Sequence, residues 1–149
     1  MIDAPRILLV DDDENYLLVA QRALRRAGVP AAIETARDGA EVFHHLGLNG
    51  DNGGEHPSLD HLAVILLDLN MPVLDGWEVL RRLRADRRTQ RIPIVIISTS
   101  DRPQDVQKSY ELGANSFVVK RFESKDPGGY LAETARYWVE LNRPPHGGE

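Results

Sequence analysis

The chain has 149 residues, of which 42% are hydrophobic and 28% charged, proportions that suit one globular domain with its own core. Its net charge of −5 argues against a nucleic-acid partner, and we interpret the arginine cluster between residues 81 and 91 as a solvated helix face. Cysteine is absent, which excludes disulfides and thiolate chemistry. No stretch resembles a signal peptide or a membrane span of about 20 apolar residues, so we expect a cytoplasmic protein with no membrane partner.

The first half of the chain predicts two strands and two helices. In order they are a buried strand over 7–10, a helix over 14–27, a weaker strand over 31–36, a helix over 38–46 and a surface loop over 47–59. Asp38, with Glu41 three positions later, gives the second helix a capping-box pattern. The first strand, Ile7 to Val10, is followed at once by acidic residues on its carboxyl side.

The second half repeats the alternation. Its strands are predicted over 62–67, 94–97 and 116–119, its helices after Asp75, after Asp101 and over 129–142. Asp75 and Asp101 are the expected helix caps, and Tyr110 is expected on the inward face of its helix. Five strands alternating with five helices predict an α/β protein with a five-stranded parallel sheet and helices on both faces.

Four of the five strands end in polar groups. Asp11 and Asp12 follow the first strand, Asp68 the third, Ser98 closes the fourth and Lys120 follows the fifth. The carboxyl ends of parallel strands form the edge where ligands bind in such sheets. Three clustered carboxylates suit a hard cation such as Mg²⁺, and a lysine and a hydroxyl suit phosphoryl oxygens. Asp68 is the best candidate nucleophile toward phosphorus because it ends the most buried run.

These motifs resemble the receiver domain of two-component response regulators. The resemblance rests on Asp11-Asp12, on Asp68-Leu-Asn-Met-Pro followed by Asp75-Gly76, and on Ser98 and Lys120, which lie 30 and 52 residues after Asp68. It implies a flavodoxin-like (βα)5 fold and a phosphoryl group taken from a sensor histidine kinase. The implied roles are Asp68 as phosphoacceptor, Asp11, Asp12, Asp68 and the carbonyl of Asn70 as the Mg²⁺ site, and Ser98, Thr99, Lys120 and Phe117 as the phosphate-binding and switch residues. Phe117 equally suits a plain core position.

One residue departs from the family pattern. Receivers usually carry proline after the lysine, often in a cis bond, and here the residue is Arg121. A cis bond without proline costs about 3–4 kcal/mol, so the bond after Lys120 is expected to be trans or strained. The departure keeps one alternative open, a degenerate receiver that serves as a protein-binding or dimerisation scaffold.

A narrower resemblance is to the single-domain regulators that partner phytochrome-type histidine kinases. It rests on the 47–59 loop, on the segment 109–115 and on the ending 137–145. We therefore expect a receiver domain over 1–142, a short polar tail over 143–149, and a signal read out by a partner or by a change of dimer state. The protein would catalyse only its own phosphorylation and dephosphorylation.

The predicted last helix carries two apolar stripes. One contains Leu131 and Trp138 and suits the core, and the other contains Tyr130, Tyr137 and Leu141. Aromatic residues are enriched at interfaces, so the second stripe predicts a homodimer through this helix.

Two other classes of protein fit the sequence less well than the receiver. Dehalogenase-like phosphatases also use an aspartyl-phosphate, but they carry a second aspartate where this chain has Asn70. Dinucleotide-binding proteins need a glycine-rich turn after the first strand, where this chain has acidic residues.

Overall fold

A computed structural model describes residues 4–48, 59, 61–121 and 128–145. Strands and helices alternate along the chain. The strands are β1 (Arg6–Val10), β2 (Ala32–Ala36), β3 (Leu62–Leu67), β4 (Ile94–Ser98) and β5 (Ser116–Val119). The helices are α1 (Glu14–Arg26), α2 (Gly39–His45), α3 (Gly76–Ala85), α4 (Pro103–Glu111) and α5 (Gly129–Arg136), which continues as a π-helical turn, Tyr137–Leu141.

The five strands form one parallel sheet in the order β2-β1-β3-β4-β5. The predicted α/β class and its five-stranded parallel sheet are confirmed. The strand β3 lies at the centre, and all six of its residues are buried, as its unbroken apolar run predicts. This placement brings the ends of β1 and β3 together at the middle of one sheet edge.

Alternate residues of each central strand pack on opposite faces of the sheet. Ile65 and Leu67 contribute to a core under α2 and α3, whereas Val64 and Leu66 contribute to a core under α1 and α5. The helices therefore cover both faces, as predicted. None of the helices in the described part of the chain is long and apolar enough to cross a membrane.

Two of the predicted helix caps are confirmed. The Asp38 carboxylate accepts a hydrogen bond from the Glu41 N–H, and the Asp75 carboxylate accepts one from the Glu78 N–H, each at 2.9 Å. Such side chains satisfy N–H groups that the first turn of a helix leaves without an internal partner.

The start of α4 differs from the prediction. Arg102 is the N-cap and makes no side-chain cap, so Asp101 is not the cap we expected. Instead, the Ser100 hydroxyl donates to the Asp105 carboxylate across the first turn at 2.6 Å.

The prediction of which residue of α4 faces inward was also wrong. Tyr110 is about half exposed, and the buried residue of α4 is Ser109. Its hydroxyl donates to the Asp105 carbonyl and accepts from the Trp77 ring N–H at 3.0 Å, so Ser109 is buried with its hydrogen bonds made.

Two further predictions concern the 47–59 loop and the arginine cluster between residues 81 and 91. The 47–59 loop lies mostly outside the described residues. Within the arginine cluster, Arg84 is not solvated. Its guanidinium donates to the carbonyls of Gly113 and Ile92 and so ties α3 to the loops beside it.

Candidate functional site

The strand ends bring the predicted site residues to one edge of the sheet. Asp11 follows β1 and Asp68 follows the neighbouring strand β3, and the two are 2% and 4% exposed. Ser98 is the last residue of β4 and is fully buried, and Lys120 comes directly after β5. Apolar strands that end in single polar residues thus place those residues in one partly water-excluded pocket.

Three carboxylates converge in this pocket. One oxygen from each of Asp11, Asp12 and Asp68 lies within 4.8 Å of the other two, and Asp12 is the exposed member. Ligand oxygens on opposite sides of an octahedral Mg²⁺ ion are about 4.2 Å apart, because each Mg–O bond is about 2.1 Å. Small side-chain movements would therefore let all three carboxylates reach one ion, with water completing the shell on the exposed side.

Lys120 supplies the positive charge of the pocket. Its Nζ lies 2.6 Å from Asp11 Oδ2 and 3.5 Å from Asp68 Oδ1, and its side chain is 7% exposed. Burial alone would lower the pKa of Lys120, but the hydrogen bond to Asp11 and the charges of Asp68 and Asp11 outweigh burial and raise it. The lysine is therefore a fixed cation at physiological pH.

Asp68 is electrostatically frustrated. Burial and the neighbouring charge of Asp11 raise the pKa of Asp68 from 3.8 to about 6, against the lowering effects of Lys120 and of the Asn70 backbone N–H. Asp68 is thus ionised at neutral pH but in an environment that disfavours its charge. A carboxylate of this kind gains from an added cation or from conversion to an acyl phosphate that Lys120 can pair with.

The segment after Asp68 packs against the site through a glycine. A Cβ on Gly76 would lie 2.2 Å from the Asp68 carbonyl oxygen and 2.8 Å from the Leu69 Cα. The Gly76 N–H also donates to the Leu69 carbonyl at 2.9 Å. The start of α3 therefore approaches the end of β3 as closely as only glycine permits, which explains the Asp-Gly pair in the motif.

The remaining predicted site residues lie around this centre. The Ser98 hydroxyl accepts a hydrogen bond from the Ser100 N–H at 3.1 Å, whereas Thr99 is exposed. Phe117 is partly buried against the core beneath α3. Asn70 is exposed at the rim of the pocket, and its backbone N–H hydrogen-bonds to Asp68.

Sequence reasoning missed one residue beside the site, Tyr16, and did not link Tyr130 to it. The Tyr16 ring lies beside Lys120, with Nζ 4.2 Å from the ring centroid. The Tyr16 hydroxyl hydrogen-bonds to the hydroxyl of Tyr130 at 2.8 Å. Tyr130, which we predicted on the interface stripe, is therefore partly buried and linked to the site. No sequence signal joins these two tyrosines, which are 114 positions apart.

The other two residues of the predicted interface stripe are exposed. Tyr137 is 48% exposed and Leu141 is 73% exposed, both on the π-helical turn that follows α5. Trp138 packs on the core on the other side of this turn, as its stripe predicts.

The fold and the strand-end pocket together define a class of phosphoacceptor signalling domains. Residues 7–127 match the model of the response regulator receiver domain. The chain belongs to the response regulator receiver domain family.

Two relatives are similar in sequence to this chain over nearly its whole length. The probable methanogenesis regulatory protein FilR2 of Methanothrix harundinacea is 33% identical over 139 residues, covering 93% of this chain and 86% of FilR2. The response regulator Rcp1 of Synechocystis is 32% identical over 134 residues, covering 90% of this chain and 88% of Rcp1.

Two solved structures share the fold closely. The phosphorylated cyanobacterial phytochrome response regulator RcpA superposes with a TM-score of 0.83 at 31% identity, covering 96% of this chain and 99% of RcpA. The Mn²⁺-bound form of Rcp1 superposes with a TM-score of 0.80 at 30% identity, covering 95% of this chain and 99% of that structure.

Proposed function

We propose that Asp68 is the phosphoacceptor of this receiver domain. The observation that carries the proposal is the position of Asp68, buried at the end of β3 between two acidic neighbours and the Lys120 ammonium. A carboxylate oxygen of Asp68 attacks the phosphorus of a phosphohistidine on a sensor kinase. The new P–O bond gives an acyl phosphate, the P–N bond breaks, and the electron pair returns to the histidine ring nitrogen.

The residues around Asp68 have separate tasks in this reaction. Lys120 pairs with a phosphoryl oxygen as charge moves onto Asp68, and it already lies 3.5 Å from the carboxylate that becomes phosphorylated. Ser98, with Thr99 beside it, supplies hydroxyls that can turn toward the new phosphoryl oxygens. Phe117, on the strand that leads to Lys120, is the aromatic residue that would change packing with them.

We propose Mg²⁺ as the ion of the acidic pocket, held by Asp11, Asp12, Asp68 and the Asn70 carbonyl. The donors are all oxygens, which hard divalent cations prefer, and the pocket is open to water at Asp12. An ion held by these residues would offset the negative charge of the carboxylates and of the phosphoryl oxygens. Mn²⁺ is bound by Rcp1 and suits the same donors, so the choice of Mg²⁺ rests on this chemistry alone.

We infer that the cognate kinase is a phytochrome-type histidine kinase. The support is the similarity to RcpA, a phytochrome response regulator, over 96% of this chain. FilR2, a probable regulator of methanogenesis, is similar to the same degree, so a kinase that senses something other than light is the competing partner. Cytoplasmic localisation and the boundary at residue 142 remain predictions.

A small-molecule phosphodonor tests the phosphoacceptor directly. The wild-type protein and Asp68→Asn would be incubated with acetyl phosphate, with and without Mg²⁺, and separated on a phosphate-affinity gel. Asp101→Asn, an exposed aspartate outside the pocket, is the matched control. We expect a shifted band that needs both Mg²⁺ and Asp68 and that the control retains. An unshifted wild-type protein would instead favour the scaffold alternative.

The kinase partner is tested by competition between two purified phosphorylated kinases, one phytochrome-type and one that senses another stimulus. We expect faster transfer from the phytochrome-type kinase to this chain, with Asp68→Asn accepting from neither. Equal or slower transfer from the phytochrome-type kinase would contradict the inferred partner while leaving Asp68 as phosphoacceptor.

We also propose a homodimer that uses the exposed side of the π-helical turn. Tyr137 and Leu141 are large apolar residues exposed on consecutive turns, and contiguous apolar surface and aromatic residues are both features of protein interfaces. Tyr137→Arg with Leu141→Arg should keep the fold and halve the mass measured by light scattering. Tyr110→Arg, a similarly exposed tyrosine on α4, should leave the mass unchanged. An unchanged mass in the double variant would remove this interface.

A further inference from the structure

The Lys120 ammonium is held on three sides by groups from other parts of the chain. Asp11 and Asp68 contact it with carboxylates, and the face of the Tyr16 ring lies 4.2 Å away on another side. An aromatic face attracts a cation, and this attraction is stronger when water is largely excluded, as it is around Lys120.

Tyr16, on α1, is itself held by a tyrosine of α5. Its hydroxyl meets the Tyr130 hydroxyl at 2.8 Å, which joins the first turn of α1 to the first turn of α5. The backbone N–H of Arg121 also interacts with the Tyr130 hydroxyl. Tyr130 therefore contacts both the ring that covers Lys120 and the residue that follows Lys120 in the chain.

This connection lies where the chain departs from the family pattern. Arg121 stands in place of proline, and no peptide bond between described residues is cis, so the Lys120–Arg121 bond is trans. Without the ring of a proline, nothing covalent restricts the backbone after Lys120. The hydrogen bond of Lys120 N–H to the Ser98 carbonyl fixes the residue on one side, at 2.7 Å. On the other side, the Arg121 backbone N–H interacts electrostatically with the Tyr130 hydroxyl.

We propose that Tyr16 and Tyr130 form a hydroxyl-linked pair that positions the Lys120 ammonium for phosphoryl transfer to Asp68. The inference rests on the proposed role of Asp68. Both tyrosines act through Lys120 and are positioning residues, since neither contacts Asp68 by a hydrogen bond in the described part of the chain.

The pair can serve this purpose because it is rigid where lysine is not. A lysine side chain has four rotatable bonds and a strongly hydrated ammonium, so two carboxylates at unequal distances leave it free to move between them. A tyrosine has two side-chain torsions, and the link between the two hydroxyls restrains both rings. Burial raises the pKa of Tyr16 and of Tyr130, so both hydroxyls stay protonated and able to donate.

Kinetics of single and double variants test the pair. The rate of phosphorylation by acetyl phosphate would be measured against donor concentration at saturating Mg²⁺ for Tyr16→Phe, Tyr130→Phe, the double variant and Tyr16→Leu. Loss of one net hydrogen bond predicts a maximal rate lowered about fivefold in each Phe variant. Loss of the ring predicts about thirtyfold in Tyr16→Leu. The Mg²⁺ concentration for half-maximal rate should not change, because the three carboxylates are intact.

The double variant separates a linked pair from two independent residues. If the hydroxyls act only through each other, the double Phe variant is as slow as either single variant. Tyr110→Phe, at an exposed tyrosine on α4, is the control and should react at the wild-type rate. Wild-type rates in both single variants, multiplied losses in the double variant, or an equal loss in the control would each overturn the proposal.

A second measurement needs neither Mg²⁺ nor phosphorylation. In NMR spectra of the metal-free protein, the ring current of Tyr16 should shift the Lys120 methylene protons next to the ammonium upfield. Tyr130→Phe should reduce this shift while leaving the thermal unfolding midpoint within a few degrees. An unchanged shift would contradict the positioning role. If the wild-type protein accepts no phosphoryl group, the proposed function fails, whereas this measurement still decides the geometry.

Discussion

The polar groups at the ends of β4 and β5 are held in different ways. The Ser98 hydroxyl contacts the N–H of Ser100, two residues along the chain, and the Ser100 hydroxyl contacts Asp105. The Lys120 ammonium contacts Asp11, which is 109 positions away, and the ring of Tyr16. The serine side of the pocket is therefore built from one short loop, and the lysine side from distant parts of the fold.

This difference suggests which side of the pocket is able to move. Rearranging the Ser98 side exchanges hydrogen bonds within one segment and disturbs no packing between helices. Moving Lys120 would separate a buried ion pair and remove the cation from the face of the Tyr16 ring, which is itself linked to α5. We therefore expect the Ser98 side to respond to phosphorylation while the Lys120 side stays in place.

Removing the charge of Lys120 should have the largest effect. Lys120→Met leaves Asp11 and Asp68 buried without their cation, and breaking a buried pair in this way costs about 3–5 kcal/mol of unfolding free energy. Urea unfolding of the metal-free protein at pH 8 measures the loss. Added Mg²⁺ should restore part of the stability, because a divalent cation offsets the same carboxylates.

The matched control for this variant is Lys108→Met. Lys108 also lies over an aromatic ring, with Nζ 4.1 Å from the centroid of Trp77, but it is exposed and on α4. The exposed cation–π contact should contribute about 0.5–1 kcal/mol. Equal losses in the two variants would mean that the Lys120 side is no more tightly held than a surface contact.

Neutralising Asp68 should stabilise the metal-free protein. The folded protein retains the Asp68 proton up to about pH 6, whereas the unfolded chain releases it near 3.8. The contribution of Asp68 to the unfolding free energy of the wild type therefore falls as the pH rises from about 4 to above 6, by up to about 3 kcal/mol. Asp68→Asn lacks this loss, so it should be the more stable protein at pH 8.

The pH dependence distinguishes this charge effect from a packing effect. The unfolding free energies of wild type and Asp68→Asn should converge toward about pH 3, where Asp68 is protonated in both the folded and the unfolded state. Asp12→Asn, at the exposed member of the acidic cluster, is the control. A difference between wild type and Asp68→Asn that is constant from pH 4 to 8 would contradict a raised pKa for Asp68.

The sequence was sufficient to predict the strand ends. Apolar runs that stop at Asp68 or at Ser98 indicate both a buried strand and the polar group at its carboxyl end, because a parallel sheet collects those ends at one edge. The positions of the strands along the chain and the cap at Asp75 followed from equally local signals. These parts of the site depend on residues that are near each other in the chain.

The sequence was insufficient where contacts are distant or where polar groups are buried. Hydrophobic periodicity assigned Tyr110 to the core, but the buried position is Ser109, which satisfies its hydroxyl through Trp77 and Asp105. The same method assigned Tyr130 to an exposed stripe, because a helix with two apolar stripes does not reveal which of them faces its neighbours. The link to Tyr16 depends on how α1 and α5 meet, which no local pattern encodes.

The smallest expected effect is that of Ser98→Ala. The substitution removes one hydroxyl from a local loop and leaves the Ser98 carbonyl bonded to the Lys120 N–H, so the lysine side should not change. One neutral hydrogen bond is worth about 1 kcal/mol, so the unfolding free energy measured in urea should fall by no more than that. The upfield shift of the Lys120 methylene protons should stay at its wild-type value.

Ser100→Ala, which removes the next hydroxyl in the same loop, should behave alike in both measurements, since its contacts are equally local. If either serine variant changed the Lys120 shift as much as Tyr130→Phe does, the two sides of the pocket would be coupled, and the separation between a movable serine side and a fixed lysine side would not hold.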